Sequence, residues 1–274
     1  MRRVPHEACR SVGRRPLSTP SADGQNPLAA LRETLARLER RGHHPLRNIL
    51  SVGLPEMAKH LPGGGLPTGM LHEVMAASHQ DRPSAFGFAF ALAASALRSR
   101  KGPAFFVSTR HATWEFGRLS AHGLRHLGID PRRFVLIETA KDKDALWALE
   151  ETLRTEVRPA IVVGALSRQL DLTASRRLNL ASAAGAVPLV LLCMTGGQGA
   201  NAAGTRWRIR TAPSSKDRFG GLGDWRWRTT LERSRNGRSG QWLLEWTHVA
   251  HSLRMAEGVA DRTPDAGQAS RRAG

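Results

Sequence analysis

Between residues 71 and 193, short apolar runs alternate with longer stretches whose apolar residues recur every three or four positions. The runs span 71–76, 104–108, 134–137, 160–163 and 187–193. Mainly apolar runs of this length are what strands buried on both faces show. The intervening stretches, at about 84–99, 113–127, 142–157 and 171–184, carry helical spacing. Strand and helix in alternation predict an α/β fold, a mostly parallel sheet flanked by helices. After residue 204 the period falls to two. Arg206, Arg208 and Arg210 interleave with Trp207 and Ile209, Arg226 and Arg228 interleave with Trp225 and Trp227, and Asn236-Gly237 is a turn signal before a return strand at 241–247. This predicts antiparallel C-terminal strands that continue the sheet, with Trp207, Trp225 and Trp227 turned to the core and arginine turned outward.

Ahead of the core the pattern is different. Residues 1–25 mix Arg, Ser, Pro and Gly without periodicity and read as a disordered basic tail. Asn26-Pro27 supplies a cap residue and a proline for the first helical position, and Leu28, Leu31, Leu35 and Leu38 follow at spacings of 3, 4 and 3 until Gly42. A helix at 26–42 with one apolar stripe needs a second surface, on its own domain or on a partner, and these four leucines are the expected protein contact. A Pro/Gly-punctuated linker at 43–69, a core domain at 70–250 and a disordered tail at 251–274 complete the expected organisation.

Composition narrows the function classes. The 41 Lys plus Arg outnumber the 23 Asp plus Glu, for a net charge of +18, and the excess gathers at 1–47 and 206–238. Such a footprint suits nucleic acid or an acidic partner. The longest apolar stretch, 85–97, is too short for the roughly 20 residues that span a bilayer, so no membrane association is expected. The N-terminus lacks the apolar core of a secretory signal, although an Arg-rich transit peptide stays open. The two cysteines, Cys9 and Cys193, point to a reduced, cytoplasmic setting. His43, His44, His79 and His111 lack the partner spacing of a zinc site, so no metal is expected. Ser167 in Gly-Ala-Leu-Ser-Arg has no nucleophile elbow around it.

The turn Gly63-Gly64-Gly65-Leu66-Pro67-Thr68-Gly69, followed by Met70-Leu71-His72-Glu73-Val74 and a long apolar helix, looks like the lead-in to a RecA-type ATPase core. A phosphate loop should follow, because backbone N–H groups must surround the phosphates, a lysine must reach the outer ones and a hydroxyl must bind Mg²⁺. The equivalent stretch here, Ala76-Ala77-Ser78-His79-Gln80-Asp81-Arg82-Pro83-Ser84, has neither glycine nor lysine. Pro83 removes a backbone donor, and Asp81 puts negative charge where phosphates would lie. Only five lysines occur in the whole chain, none of them between Lys59 and Lys101. Arg110 stands where the water-activating glutamate of the RecA pattern is expected, and Gly164 where a metal-holding aspartate should end the strand. Ala76, Ser78, His79, Asp81, Arg82 and Ser84 are therefore read as a vestigial phosphate loop, with His79 or Arg82 left as anion contacts, and no catalytic residue or cofactor is expected.

This degenerate core together with the run at 225–246, in which Trp227, Leu231, Arg233, Arg235, Gly237, Arg238, Gly240, Trp242, Leu244, Glu245 and Trp246 keep fixed places, resembles the ImuA family of SOS-mutagenesis proteins over about 28–247. The resemblance implies a RecA-like accessory protein of translesion synthesis, not an enzyme, with an ImuB-like protein, an error-prone DnaE-type polymerase and RecA as partners. DNA is a further candidate. The Gly-rich loop at 195–204 lies where RecA-like chains contact DNA, and Arg206, Arg208, Arg210, Arg226 and Arg228 would present five guanidiniums on one sheet face to DNA or to an acidic partner. A solvated outer strand face gives the same alternation. Residual ATPase activity with DNA binding, and a SulA-like cell-division inhibitor, are the alternative readings.

Overall fold

The structure, a computed structural model, describes residues 49–194, 199–214, 221 and 223–256. The chain divides into two units, Met1–Pro45 and Leu46–Gly274. Only the second holds described residues, so the tail at 1–25, the helix at 26–42 and its stripe of Leu28, Leu31, Leu35 and Leu38 lie outside them.

Nine strands form one sheet. In chain order the elements are β1 (Ile49–Leu50), α1 (Pro55–Ala58), β2 (Leu66–Pro67), β3 (Leu71–Ala76), α2 (Arg82–Ser99), β4 (Ala104–Thr109), α3 (Arg110–Thr113), α4 (Ala121–His126), β5 (Phe134–Thr139), α5 (Asp142–Arg154), β6 (Ile161–Leu166), α6 (Leu172–Gly185), β7 (Leu189–Cys193), β8 (Thr205–Ala212), β9 (Trp225–Ser234), β10 (Gly240–Thr247) and β11 (Ser252–Met255). The sheet order is β11-β10-β9-β8-β3-β7-β6-β4-β5, with β1 and β2 pairing separately. From β5 to β8 neighbouring strands are parallel; β9, β10 and β11 add antiparallel. The α/β expectation holds, with one amendment: β8 runs parallel to β3, so antiparallel pairing starts at β9.

Two cores follow from the two faces. On one, α2 is Ala- and Phe-rich around its whole circumference and is buried at Ala85 and from Phe88 to Leu97. A helix apolar all round needs cover on both sides. The sheet covers one side, where Phe88 meets Trp207 at a centroid distance of 5.7 Å and Trp227 at 6.1 Å; β1 and β11 reach it from elsewhere. On the other face α5 and α6 bury Leu149, Leu153 and Leu178 against Val162, Leu189 and Leu191.

Three expectations change. Residues 49–69 are not a linker: Leu50, Val52, Leu54, Met57, Leu61 and Leu66 all join the α2-side core. Residues 252–255, expected in a tail, form edge strand β11, where Leu253 pairs with Trp246. The helix expected at 113–127 is broken. Gly117, at φ +75°, leaves the helical region after the 3-10 turn at Trp114–Phe116, and Ser120 caps a new helix by accepting from the Gly123 N–H.

Candidate functional site

In this fold a phosphate site would lie where β3 ends and α2 begins. Here that loop is closed by its own side chains. Ser78 Oγ donates to Asp81 Oδ2 at 2.6 Å, and the Thr211 N–H on β8 donates to Asp81 Oδ1 at 2.8 Å. Burial pushes the Asp81 carboxyl up, but these bonds outweigh it and hold the group below its ordinary value. Ser84, at the position of the Mg²⁺-binding hydroxyl, shares a 2.7 Å bond with Thr211 Oγ1. The Ala77 N–H donates to Ile209 O at 2.8 Å. His79 and Arg82 both turn to Glu115, at 3.0 Å and 3.3 Å, and Arg82 also donates to Met194 O at 3.0 Å. The two basic groups left for an anion are thus already paired. Ala76 only completes β3.

The other two positions are taken up by structural contacts. Arg110 opens α3 and donates to Glu138 at 3.1 Å. Gly164 sits in mid-strand, where an added Cβ would meet Leu191 Cδ1 at 2.6 Å and Leu149 Cδ1 at 3.1 Å. A side chain there would have to displace both leucines.

The arginine face is real but mostly internal. Arg206 donates to Glu73 at 2.6 Å and Arg226 to Glu245 at 3.0 Å, both with carboxylates buried in the sheet. Arg208 pairs with Glu232. Among the described residues, Arg210 and Arg228 have no acidic partner; they are register partners across β8 and β9. The expected patch of five guanidiniums is therefore reduced to two adjacent ones outside ion pairs. Trp207 and Trp227 face the core as expected, but Trp225, at the start of β9, is 42% exposed.

No family model matches the chain. Protein ImuA of Caulobacter vibrioides, strain NA1000 / CB15N, is 37% identical over 241 residues, covering 82% of this chain and 96% of the relative; Protein ImuA of strain ATCC 19089 / CIP 103742 / CB 15 matches to the same extent. The chain belongs to the ImuA family. A crystal structure of the RadB recombinase aligns with a TM-score of 0.51 at 16% identity, covering 76% of this chain and 100% of that one. At that identity the likeness shows the RecA-like fold alone.

What this ImuA-family chain retains around β3 is architectural, and sequence reading passed over it. His72 is buried, with Nε2 2.9 Å from Pro67 O and Nδ1 2.9 Å from Thr205 Oγ1. It ties the lead-in turn to β8. Burial drives its pKa down to about 4, against a smaller opposing effect of the Pro67 bond. Glu73 points to the other face and collects Arg206 and, at 2.8 Å, Asn201 Nδ2. It thereby anchors the chain where it returns to β8. Arg233 closes the group through Asn201 and Ala203 O. The signal available in the sequence was His-Glu inside an otherwise apolar strand. Cys193 lies nearby, buried, its thiol pushed up to about 12 by burial and next by Glu73. Among the described residues no group of His, Cys, Asp and Glu is placed to hold a metal, and no helix is long and apolar enough to cross a membrane.

Proposed function

We propose that this protein is a non-catalytic, cytoplasmic RecA-like scaffold of SOS-induced translesion synthesis, assembling with an ImuB-like Y-family homologue and an error-prone DnaE-type polymerase in damage-induced mutagenesis. The observation that carries the non-catalytic part is the closed loop: Asp81 is held by Ser78 and Thr211 where phosphates would lie, and Ser84 is already bonded to Thr211. Phosphoryl transfer depends almost wholly on positioning and electrostatics, and the glycine, lysine, glutamate and aspartate positions of the pattern all carry other residues. Membership of the ImuA family supports the assembly. The test has two arms. Calorimetry with ATP, with and without Mg²⁺, is expected to give no heat of binding, and micromolar binding would remove the scaffold reading. Co-purification from damaged cells is expected to recover the two partners named; their absence removes the assembly.

Direct DNA contact is a second reading, resting on Arg210 and Arg228. Replacing both by Ala should weaken binding to single-stranded DNA and lower its salt slope by about 1.4. An unchanged slope excludes these residues as the contact.

A further inference from the structure

Beside the closed loop, on the α2 side of the sheet, lies a cavity of about 580 Å³. Its walls are aromatic: Phe86, Phe90, Phe106, Phe116, Trp225 and Trp227 all line it. Phe86 links three of the walls, with ring centroids 6.2 Å from Phe90, 6.3 Å from Phe106 and 5.8 Å from Phe116. Phe116 and Trp225 stay half-exposed at the mouth, and Trp114, close by in sequence, is 78% exposed. Apolar surface left open in this way marks an interaction site more often than a packing defect.

The charges around the cavity indicate what fills it. Three of the carboxylates nearby each have two basic partners. Glu115 has His79 and Arg82, Glu138 has Arg110 at 3.1 Å and Arg118 at 3.8 Å, and buried Glu245 has Arg226 and Arg254. Arg118 lines the cavity, is 84% exposed, and holds its share of Glu138 only loosely. An added carboxylate at the mouth would therefore find an under-used guanidinium. A nucleotide would not, because Asp81 and Ser84 are engaged with the loop and β8. A second copy of the chain would bring another +18 of like charge.

We propose that this cavity is a docking site for an aromatic or large aliphatic anchor carried on an acidic segment of a partner protein. The anchor enters between Phe116 and Trp225, and a flanking carboxylate pairs with Arg118. The inference goes beyond the scaffold reading and stands or falls separately from it.

The test uses the full chain and a fluorescein-labelled peptide with a central Phe-Leu pair between runs of Asp, read by fluorescence anisotropy. Saturable binding is expected. Phe116→Asp should abolish it, Arg118→Glu should weaken it about tenfold, and Leu180→Asp, on α6 across the sheet, should leave it unchanged. Circular dichroism checks that each variant folds; if Phe116→Asp does not, the exposed Arg118→Glu still decides. Four results overturn the proposal: no saturable binding, equal binding of a peptide with Ser-Ser in place of the anchor, equal binding of a peptide with Asn in place of Asp, or displacement by micromolar ATP. Self-association that is seen by sedimentation and lost in Phe116→Asp would assign the cavity to a second copy and overturn it as well.

Discussion

The lead-in to β3 and the loop that follows it are neighbours in sequence, yet they have kept different things. Before and within β3, His72 and Glu73 are buried, each bonded to groups brought in from elsewhere in the fold. After β3, the residues at 77–84 bond mainly to each other, to β8 and to one surface glutamate. The first region specifies an architecture and the second would have specified a chemistry. A fold rests on many buried contacts that constrain one another, whereas phosphoryl transfer needs a few side chains at set places. Those few can change while the sheet stays as it was.

The comparison is most sharply tested by putting the chemistry back. Gly164→Asp restores the residue type of the metal-holding aspartate, but the new side chain would collide with Leu191 and Leu149 and bury an unpaired charge. We expect a loss of about 4 kcal/mol or more, seen as loss of soluble protein or of the urea transition. A well-folded Gly164→Asp would mean that the strand has kept room for the acid. Next in size is Glu73→Ala, which leaves Arg206 buried without its carboxylate. The expected cost is about 3–5 kcal/mol by urea denaturation. The double change Glu73→Leu with Arg206→Leu should recover much of that, because removing both charges removes the desolvation penalty. A double variant no more stable than Glu73→Ala would show that Glu73 acts chiefly through Asn201.

His72 sharpens the comparison through pH. Its folded pKa of about 4 lies below its ordinary 6.5, so between those values the unfolded chain binds the proton and the folded chain does not. Stability then falls as pH falls across that window, by about 3 kcal/mol in total. Urea midpoints at pH 7 and near pH 4 should differ accordingly, and His72→Phe should flatten the difference while lowering stability at pH 7. An unchanged slope in His72→Phe would assign the acid sensitivity to other groups.

What the sequence made legible follows from the range of the contacts involved. The strands at 71–76 and 187–193 could be read because apolar runs are local. The break at Gly117 was hidden by helical spacing that continues across it. The segment at 49–69 gave no strand or helix signal because Leu50, Val52, Leu54, Met57, Leu61 and Leu66 follow no single period, and their burial comes from a core built by residues far along the chain. The period-two face of Arg206 to Arg210 was right in direction, but its main acidic partner lies 133 residues away on β3. The loop divides the same way. Its lack of lysine and glycine is plain in the sequence, while the bond that closes it, Thr211 N–H to Asp81, spans 130 residues. The missing lysine and glycines were readable; the long-range contacts at the loop were not.

The smallest expected effect bears most directly on the loop. Asp81→Ala removes one acceptor from Ser78 and one from Thr211, a cost of about 1–2 kcal/mol that thermal unfolding at pH 7 should register. Because the folded carboxyl lies below its ordinary pKa, the bonds contribute above that ordinary value and are lost as pH falls through the folded one. The gap between variant and parent should therefore narrow in acid. The variant should still bind no ATP, since opening the loop supplies neither the lysine nor the glycines, and Pro83 still lacks a donor. If Asp81→Ala instead gains micromolar nucleotide binding, the loop is a working cradle latched by one carboxylate, and the two sides of β3 are less different than their contacts imply.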